Sequence, residues 1–391
     1  WGLYTYPAIE GMEPGTMEFD IRKAKEYGYS LIRMHIKDNE PDWYRICDET
    51  GMLVWDEMPV SFYATFRDEK WRINYEQQLK RMIRKQNYHP SVIVFSTFNE
   101  SWGISGDHER SPWDEPEGQA WQKEMAQRYR TEMPQILLVD NSGYAKTGLT
   151  QLLDYHMYPV SYSEARDFYG RLTKQNYPGS VFNCYAEENK TLMKEDMVRD
   201  LLQRTCRMDL KETDFQGKEC QSGQPVIISE FLHINQVEQM VRLYPEIAGF
   251  VRMNLSSQEN EDTSPLTNTR MERDFGYVHS DFSSAGYGCV NSKNLVLPDY
   301  PPLTRQKAGS TIEVPVSVSL WDGSLSGKRL QLRVIGKGID DQGQDDILFD
   351  RQEMEITAEC YQPYEAAKVG LEIPFGMKGA YWFCELWREE Q

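Results

Sequence analysis

The sequence has few long apolar runs and little positive charge. None of its apolar runs approaches the roughly 18 residues that a membrane-spanning helix needs. Its 43 Lys and Arg are outnumbered by 61 Asp and Glu, which gives a formal net charge of −18. Because a polyanion binds a positive face, this balance argues against nucleic acid or an anionic membrane surface as a partner.

Paired cysteines and cofactor motifs are also missing. The seven cysteines contain no CxxC pair and no zinc spacing, which predicts mostly free thiols. The sequence leaves open whether two of Cys184, Cys206 and Cys220 form a disulfide, because these three lie close together in the sequence. The chain contains no HExxH, no P-loop and no dinucleotide fingerprint, so the sequence indicates no metal site. It begins at Trp1 without a start methionine or signal peptide, and we interpret it as a fragment whose compartment cannot be read.

What the chain does contain is an alternation of short apolar runs and longer amphipathic stretches over its first 260 residues. This pattern is typical of parallel strands joined by helices, and it predicts an α/β fold. Helices are expected at 19–27, 42–50, 75–86 and 117–132. The predicted strands are 31–36, 52–58, 92–98, 136–141, 152–157, 225–230 and 247–255.

Seven strands are one short of a (β/α)8 TIM barrel. The missing strand should precede the first helix. Either it lies upstream of this chain, or residues 3–6 are its remnant. We favour the first alternative, so the expectation is a TIM barrel that lacks its first strand.

The predicted domains are a TIM-barrel catalytic domain at 1–290, a linker at 291–308 and an Ig-like accessory domain at 309–391. The last has five predicted strands separated by Gly- and Asp-rich turns, which is typical of an antiparallel β-sandwich. Within the barrel, residues 159–224 form an unusually long connection that is interpreted either as a lid over the site or as a surface excursion.

Two apolar strands end in a glutamate. Residues 92–100 end in Asn99 and Glu100, and residues 226–230 end in Ser229 and Glu230. In a TIM barrel the carboxyl ends of the strands form the active-site face, so both carboxylates should point into one pocket. A single strand-end glutamate is as easily the N-cap of the next helix. Two of them on suitable strands favour the paired carboxylates of glycoside hydrolysis.

Four segments resemble glycoside hydrolase family 2, the family of β-galactosidases, β-glucuronidases and β-mannosidases. They are residues 28–35, 47–57, 87–100 and 225–231, and the resemblance runs from about residue 20 to residue 261. The third segment, in which an Arg-rich helix runs into His-Pro-Ser and then a strand ending in Asn-Glu, is specific. The resemblance implies a retaining mechanism in the catalytic barrel of the paired-glutamate clan.

The resemblance also implies roles for single residues. Glu100 matches the general acid/base, Glu230 the nucleophile, and Asn99 the residue that binds the sugar 2-hydroxyl. Arg33 matches an arginine that keeps the nucleophile ionised, as a neighbouring positive charge does. Further candidates for binding the sugar or orienting the nucleophile stand near strand ends, namely His35, Asp56, His156, Tyr158 and Trp102. Asp56 competes with its neighbour Glu57 for this role, because adjacent strand residues face opposite sides, and Asp56 is preferred.

One departure from the clan is that the predicted eighth strand lacks a strand-end Trp, a role that Trp102 is expected to fill in part. The expected substrate is a β-linked hexoside in a glycoside or oligosaccharide, with a β-galactoside first and a β-glucuronide or β-mannoside next. Arg252 and Lys37 are candidates for a clamp on a uronide. Two carboxylates suffice for the chemistry, so no cofactor is expected. The alternative is a non-catalytic carbohydrate-binding relative, and the oligomeric state cannot be read.

Overall fold

The structure is a computed structural model that divides into two compact units. The barrel unit comprises Trp1–Val160, Gly170–His233 and Glu246–Cys289. The C-terminal unit comprises Ser161–Tyr169, Ile234–Pro245 and Val290–Gln391. The residues that the structure describes are 2–5, 15–60, 66–100, 116–143, 149–157, 162–163, 165–166, 169–170, 225–231, 235–256, 264–267, 270–271, 291–301 and 304–388.

The described part of the barrel unit contains an eight-stranded sheet in which neighbouring strands pair in parallel, with the order β5-β4-β3-β2-β1-β8-β7-β6. This topology confirms the prediction of a TIM-type barrel. The strands are β1 Gly2–Thr5, β2 Leu31–Met34, β3 Leu53–Glu57, β4 Val92–Ser96, β5 Leu137–Val139, β6 Leu153–Met157, β7 Val226–Phe231 and β8 Ile247–Met253.

The prediction that the first strand lies upstream of this chain is wrong. Strand β1 is formed by Gly2–Thr5, and it pairs with β2 on one side and β8 on the other. Its register joins Gly2 to Leu31 and to Val251. The four residues are too few to show a strand pattern in the sequence, and only pairing with two neighbours fixes them as a strand.

Four helices connect the strands in the described part of the barrel unit. Helix α3 begins after Asp68, whose carboxylate accepts hydrogen bonds from the backbone N–H groups of Lys70 and Trp71, as an N-cap does. Helix α2 ends at Gly51, which has a φ of 66° and so occupies the left-handed region that favours glycine. The helices are α1 Thr16–Glu26, α2 Pro41–Thr50, α3 Glu69–Gln86 and α4 Pro116–Glu132.

The interior of the barrel is filled by apolar side chains from several strands. Trp55, Val94 and Val251 belong to one buried cluster, together with Val139, Leu152 and Met253. Because side chains alternate along a strand, the residues between these positions face the helices instead. Above this apolar layer, toward the carboxyl ends of the strands, the side chains become polar and charged.

The C-terminal unit contains two antiparallel three-stranded sheets among its described residues, in the orders β13-β10-β9 and β12-β11-β14. Their buried side chains, including Val318, Leu332 and Val369, form one apolar cluster. A short helix, α5 Asn235–Met240, also belongs to this unit. The strands are β9 Asn294–Pro298, β10 Thr311–Leu320, β11 Arg329–Asp340, β12 Ile347–Thr357, β13 Pro363–Glu372 and β14 Met377–Arg388.

The antiparallel C-terminal strands were predicted, but the predicted linker at 291–308 contains strand β9. This strand pairs with β10 from Val316↔Pro298 to Leu320↔Asn294. Three prolines at and just after its end, Pro298, Pro301 and Pro302, made the segment look like a linker, although proline is tolerated at the end of an edge strand such as β9. Asn294–Pro298 therefore belongs to the sheet.

Some predictions fall on residues that lie outside the described ranges. Most of the connection at 159–224 is among them, and so are Cys184, Cys206, Cys220 and Cys289. The described cysteines, Cys47, Cys360 and Cys384, are free thiols. Every helix within the described ranges is too short or too polar to cross a membrane.

Candidate active site

Arg33 lies at the centre of the polar layer and is fully buried. Its guanidinium donates to Glu57 through Nε (3.0 Å) and NH2 (3.1 Å), and through NH1 to Glu230 at 2.9 Å. NH2 also donates to the side-chain oxygen of Asn99 at 2.7 Å. The indole of Trp55 lies beneath it, with 5.2 Å between the ring centroid and the guanidinium carbon. One arginine thus joins strands β2, β3 and β7 to the residues that follow β4.

A buried guanidinium is costly unless hydrogen-bond acceptors surround it. Here the acceptors are two carboxylates, an amide oxygen and the backbone oxygen of Ser229 at 3.1 Å. Burial raises the pKa of Glu57 to about 7, while the charge and hydrogen bonds of Arg33 oppose that rise. Removing the arginine would therefore leave two buried carboxylates without their cation.

Glu100 follows β4 with its backbone in the left-handed region, at a φ of 43°. For a residue with a side chain this conformation costs about 1–3 kcal/mol, so the surrounding structure must hold it. Burial raises the pKa of Glu100 to about 7, although the charge of Arg33 lowers it. A substantial share of Glu100, about half at pH 7, is therefore in its acid form.

His156, on β6, lies between the two glutamates. Its Nδ1 is 2.5 Å from an oxygen of Glu100, and its Nε2 is 3.3 Å from an oxygen of Glu230. Burial lowers the pKa of His156 to about 4, so its imidazole is neutral over the ordinary pH range. The Nδ1 atom of His35 lies 3.6 Å from Glu230, which is beyond a hydrogen bond, and burial keeps the pKa of His35 well below 6.5.

Glu100, His156 and Glu230 each place one potential ligand atom within 4.8 Å of the others, a spacing that could hold a metal ion. These atoms already take part in hydrogen bonds and ion pairs with one another. The guanidinium of Arg33 also lies 2.9 Å from Glu230, where a second cation would be repelled. The donor set therefore favours a protonated, hydrogen-bonded site, and we do not assign a metal to it.

About the first quarter of the chain matches the sequence model of a known protein family. Residues 10–112 match the model of the TIM barrel domain of glycosyl hydrolases family 2. Over this segment the chain is similar to glycosyl hydrolase family 2. The match includes Arg33, Asp56, Glu57, Asn99 and Glu100, and it ends before the strand that carries Glu230.

Two curated relatives illustrate the similarity of single proteins to this chain. A β-galactosidase of Vibrio cholerae is 33% identical over 103 residues, which are 25% of this chain and 10% of the relative. A putative β-glucuronidase of Formosa agariphila is 32% identical over 85 residues, or 22% of this chain and 10% of the relative. The matched region thus spans about a tenth of the length of these relatives.

A solved structure extends the likeness to nearly the whole chain. The β-glucuronidase of Parabacteroides merdae, solved with glycerol in its active site, superposes with a TM-score of 0.53 at 10% identity. The superposition covers 98% of this chain and 47% of that one. At this identity the likeness concerns the fold alone, and it agrees with a TIM-type barrel followed by antiparallel sheets.

The structure brings most of the predicted site residues of the barrel together. Arg33, Asn99, Glu100, His156 and Glu230 are joined by direct contacts of 3.4 Å or less. His35 lies at the edge of this group. Trp102 and Tyr158 lie outside the described residues.

The preference for Asp56 over Glu57 as the site residue is wrong. Asp56 faces the helices, where it accepts hydrogen bonds from the hydroxyl of Tyr44 at 3.0 Å and from the amide of Gln86 at 2.7 Å. Glu57 shares the interior face with Trp55 and binds Arg33. Both carboxyls are buried, and the sequence gives only their alternation, not which of the two points inward.

Sequence reasoning also missed Asp154 and the serines that it holds. One oxygen of Asp154 accepts hydrogen bonds from the hydroxyls of Ser142 (2.6 Å) and Ser229 (2.7 Å), and from the backbone N–H of Gly143 at 3.0 Å. Asp154 is fully buried within strand β6. A charged residue inside an apolar strand was the available signal, since buried charges are nearly always paired.

Proposed function

We propose that this chain carries the catalytic site of a retaining β-glycosidase, with Glu100 as general acid/base and Glu230 as nucleophile. The observation that carries the proposal is the separation of the two carboxylates, an oxygen of each lying within 4.8 Å of the other. Retaining enzymes hold their carboxyls about 5–5.5 Å apart, whereas inverting enzymes need about 6.5–9.5 Å to admit a water. The short separation supports a double displacement.

The electrostatics of the two glutamates support different roles. Arg33 places a positive charge 2.9 Å from Glu230, which favours the carboxylate that attacks the anomeric carbon. Glu100, with its raised pKa of about 7, gives its proton to the leaving oxygen in the same step. In the second step Glu100 takes a proton from water, and the hydroxide so formed releases the sugar from Glu230.

The substrate we propose is a neutral β-hexoside, with a β-galactoside first. The name of the Vibrio relative supports this order, and the name of the Formosa relative keeps a β-glucuronide as the next candidate. A uronide site needs a cationic clamp. Arg252, one candidate for it, lies between Val251 and Met253 of the interior cluster and so faces the helix side of β8. A β-mannoside is the third candidate.

The test is an assay of the protein and three variants on nitrophenyl β-galactoside, β-glucuronide, β-mannoside and β-glucoside. Glu230→Gln should abolish cleavage. Glu100→Ala should be slow and should recover with added azide, because azide attacks the glycosyl intermediate without a general base. Glu246→Gln is the matched control, since this exposed glutamate precedes β8 at the opposite end of the strands and should leave the rates unchanged.

The product separates the proposal from its rivals. A β-configured azide adduct from Glu100→Ala identifies a retaining hydrolase and its acid/base. Turnover that survives Glu230→Gln would reject the assignment of the nucleophile. A folded protein that binds one of these sugars but cleaves none of the four would favour the carbohydrate-binding alternative.

A further inference from the structure

Strand β7 has a one-residue bulge at Ser229. In its pairing with β6, Ile228 lies opposite Tyr155, and the next pair joins Glu230 to His156. Ser229 is therefore an extra residue that the register of β6 skips. The register with β8 shifts over the same part of β7. A bulge bends its strand and re-aims a side chain, and bulges are over-represented next to active sites.

The bulge places Glu230 on the interior face of the barrel. Ile227 packs against the interior apolar cluster, so strict alternation would turn Glu230, three residues later, toward the helices. With Ser229 inserted, Glu230 instead shares the face of its partner His156, and it reaches Arg33 at 2.9 Å. The direction of the proposed nucleophile thus depends on the bulge.

Asp154 of β6 contacts this bulge directly. The Oγ of Ser229 lies 2.7 Å from Oδ2 of Asp154 and 3.3 Å from the backbone oxygen of Tyr155. The backbone oxygen of Ser229 accepts a hydrogen bond from NH1 of Arg33 at 3.1 Å. Strand β6 therefore holds Ser229 by its side chain, while the arginine that binds Glu230 holds it by its backbone.

The same oxygen of Asp154 reaches the segment that holds Glu100. It lies 2.6 Å from Oγ of Ser142 and 3.0 Å from the backbone nitrogen of Gly143. The backbone oxygen of Ser142 accepts from the N–H of Glu100 at 3.1 Å, and the N–H of Ser142 donates to the backbone oxygen of Phe98 at 2.8 Å. These two bonds hold the left-handed backbone of Glu100, so the position of Ser142 fixes that of the proposed acid/base.

Asp154 also links the two outermost strands of the sheet, because β5 and β6 stand at the ends of the described strand order. Just before β6, the N–H of Gln151 donates to the backbone oxygen of Leu138 at 2.7 Å, which joins the two strands at the end away from the site. At the active-site end, Asp154 makes the link to Ser142 and Gly143, which follow β5. One fully buried carboxyl therefore joins these strands beside both glutamates.

We propose that Asp154, Ser142 and Ser229 form a clamp, here called the Asp154 clamp, that sets the separation of the two glutamates. Asp154 is a positioning residue, because it acts on Glu230 through Ser229 and on Glu100 through Ser142. The inference rests on the proposed function for the roles of the glutamates. Retention needs carboxyls about 5–5.5 Å apart, and a displacement of about 1 Å can cost about a hundredfold in rate. Release of the clamp should therefore slow the chemical step.

The two arms of the clamp should differ in their dependence on the leaving group. The assay compares kcat/KM, which reports the first step, on a phenyl and a dinitrophenyl glycoside of the sugar that the protein cleaves. Phenol leaves well only when an acid protonates it, whereas dinitrophenol leaves without that help. A displaced Glu100 should therefore slow cleavage of the phenyl glycoside alone, and a displaced Glu230 should slow cleavage of both.

The single variants measure each arm. Ser142→Ala should lower kcat/KM about tenfold on the phenyl glycoside and less than about twofold on the dinitrophenyl glycoside. Ser229→Ala should lower it about tenfold on both, and Asp154→Ala, which releases both arms, about a hundredfold on the phenyl glycoside. The same ratio of the two substrates in both serine variants would overturn the proposal. The serine variants leave Asp154 in place, so they decide the question even if Asp154→Ala does not fold.

Double variants show whether the serines act through Asp154. The hydroxyl of Ser142 also lies 3.1 Å from Nε2 of His156, which is a second route to Glu100. If the clamp is the route, adding Ser142→Ala to Asp154→Ala should change kcat/KM by no more than about twofold, because the contact is already lost. A further loss of about tenfold would assign the effect to His156 and overturn the proposal.

Thr150→Val is the matched control. The hydroxyl of Thr150 is buried and donates to the backbone oxygen of Leu152 at 2.8 Å, at the end of β6 away from the site. Valine keeps the shape and removes the hydrogen bond, so stability should fall while the ratio of the two substrates stays within about twofold. A changed ratio would mean that any loosening of these strands has this effect, which would overturn the proposal.

The clamp also has a readout that needs no turnover. The free energy of unfolding, measured by urea denaturation, should fall in Ser142→Ala and in Ser229→Ala, and it should hardly change when either is added to Asp154→Ala. Additive losses would overturn the proposal. If this coupling is found but the unaltered protein cleaves no glycoside, the proposed function fails while the link between the two segments stands.

Discussion

Strand β3 carries two adjacent acids whose surroundings differ in kind. On the helix side, Asp56 is held by neutral donors, the hydroxyl of Tyr44 and the amide of Gln86, which in turn accepts from the hydroxyl of Tyr129 at 2.7 Å. On the interior side, Glu57 is held by the cationic guanidinium of Arg33. Burial raises the pKa of both carboxyls to about 7.

The comparison shows that a raised pKa does not by itself identify a functional carboxyl. Desolvation acts equally on the two acids, because both are completely buried. Their partners separate them. The neutral network around Asp56 ties β3 to helices α2, α3 and α4, whereas the charged network around Glu57 aligns the groups of the proposed catalytic site.

The largest expected effect comes from removing the cation on the interior face. Arg33→Met leaves Glu57 and Glu230 buried without their partner, which should cost about 3–5 kcal/mol and lower kcat/KM by about a thousandfold. Arg81→Met, at an exposed position on α3, is the control and should stay within twofold. A folded Arg33→Met protein that keeps a tenth of the activity would contradict the central role of this arginine.

Two isosteric substitutions, one on each face of β3, test whether the two faces have separate roles. Glu57→Gln weakens two charge-assisted hydrogen bonds to Arg33, each worth about 1.5–3 kcal/mol, so kcat/KM should fall by about a hundredfold. Asp56→Asn should change kcat/KM by no more than about threefold, because the side-chain partners of Asp56 lie on the helix side and an asparagine oxygen can still accept from the backbone N–H of Glu57. Equal losses in the two variants would show that the faces do not act separately.

The smallest effect concerns the pH dependence of stability. The folded pKa of Asp56, about 7, is above its unfolded value near 3.8, so its contribution to stability is complete below about pH 4 and is lost as the pH rises through 7. Asp56→Asn removes this titration. The free energy of unfolding, measured by urea denaturation, should therefore fall less steeply between pH 4 and 7 than in the unaltered protein.

The slope of the free energy of unfolding against pH in Asp56→Asn can be compared with the slope in Glu57→Gln. Glu57 has the same direction of shift but is opposed by Arg33, so its removal should also perturb the ion pair. Identical slopes for the unaltered protein and Asp56→Asn would mean that Asp56 does not titrate in this range.

Much of the barrel could be predicted because its strands are short, apolar and bounded by polar residues. The segment at 92–98 contains β4 with the correct first residue, Val92, and the segment at 225–230 contains most of β7. Strand β1 could not be predicted in the same way. Its four residues, Gly2–Thr5, show no alternation, and they are a strand only because β2 and β8 flank them.

Among the residues of the candidate site, some could be predicted from local sequence and others depend on pairing with distant segments. Glu100 and Glu230 could be found because each ends an apolar strand, a position that depends only on local sequence. The inward face of β3 could not be predicted, since a strand buried on both sides has no polar face to fix its orientation. Ser142 could not be predicted either, because it reaches the site through its pairing with Asn99, 43 positions earlier in the chain.

The position of β1 has a consequence for synthesis of the protein. The strand is the first of the sheet to leave the ribosome, yet its partner β8 follows only when Val251 and its neighbours have been translated. At about 5–20 residues per second, the nascent chain must wait tens of seconds for that partner. During this interval the backbone N–H and C=O groups on one edge of β1 lack their final partners. A chaperone that holds nascent chains would bind at this edge.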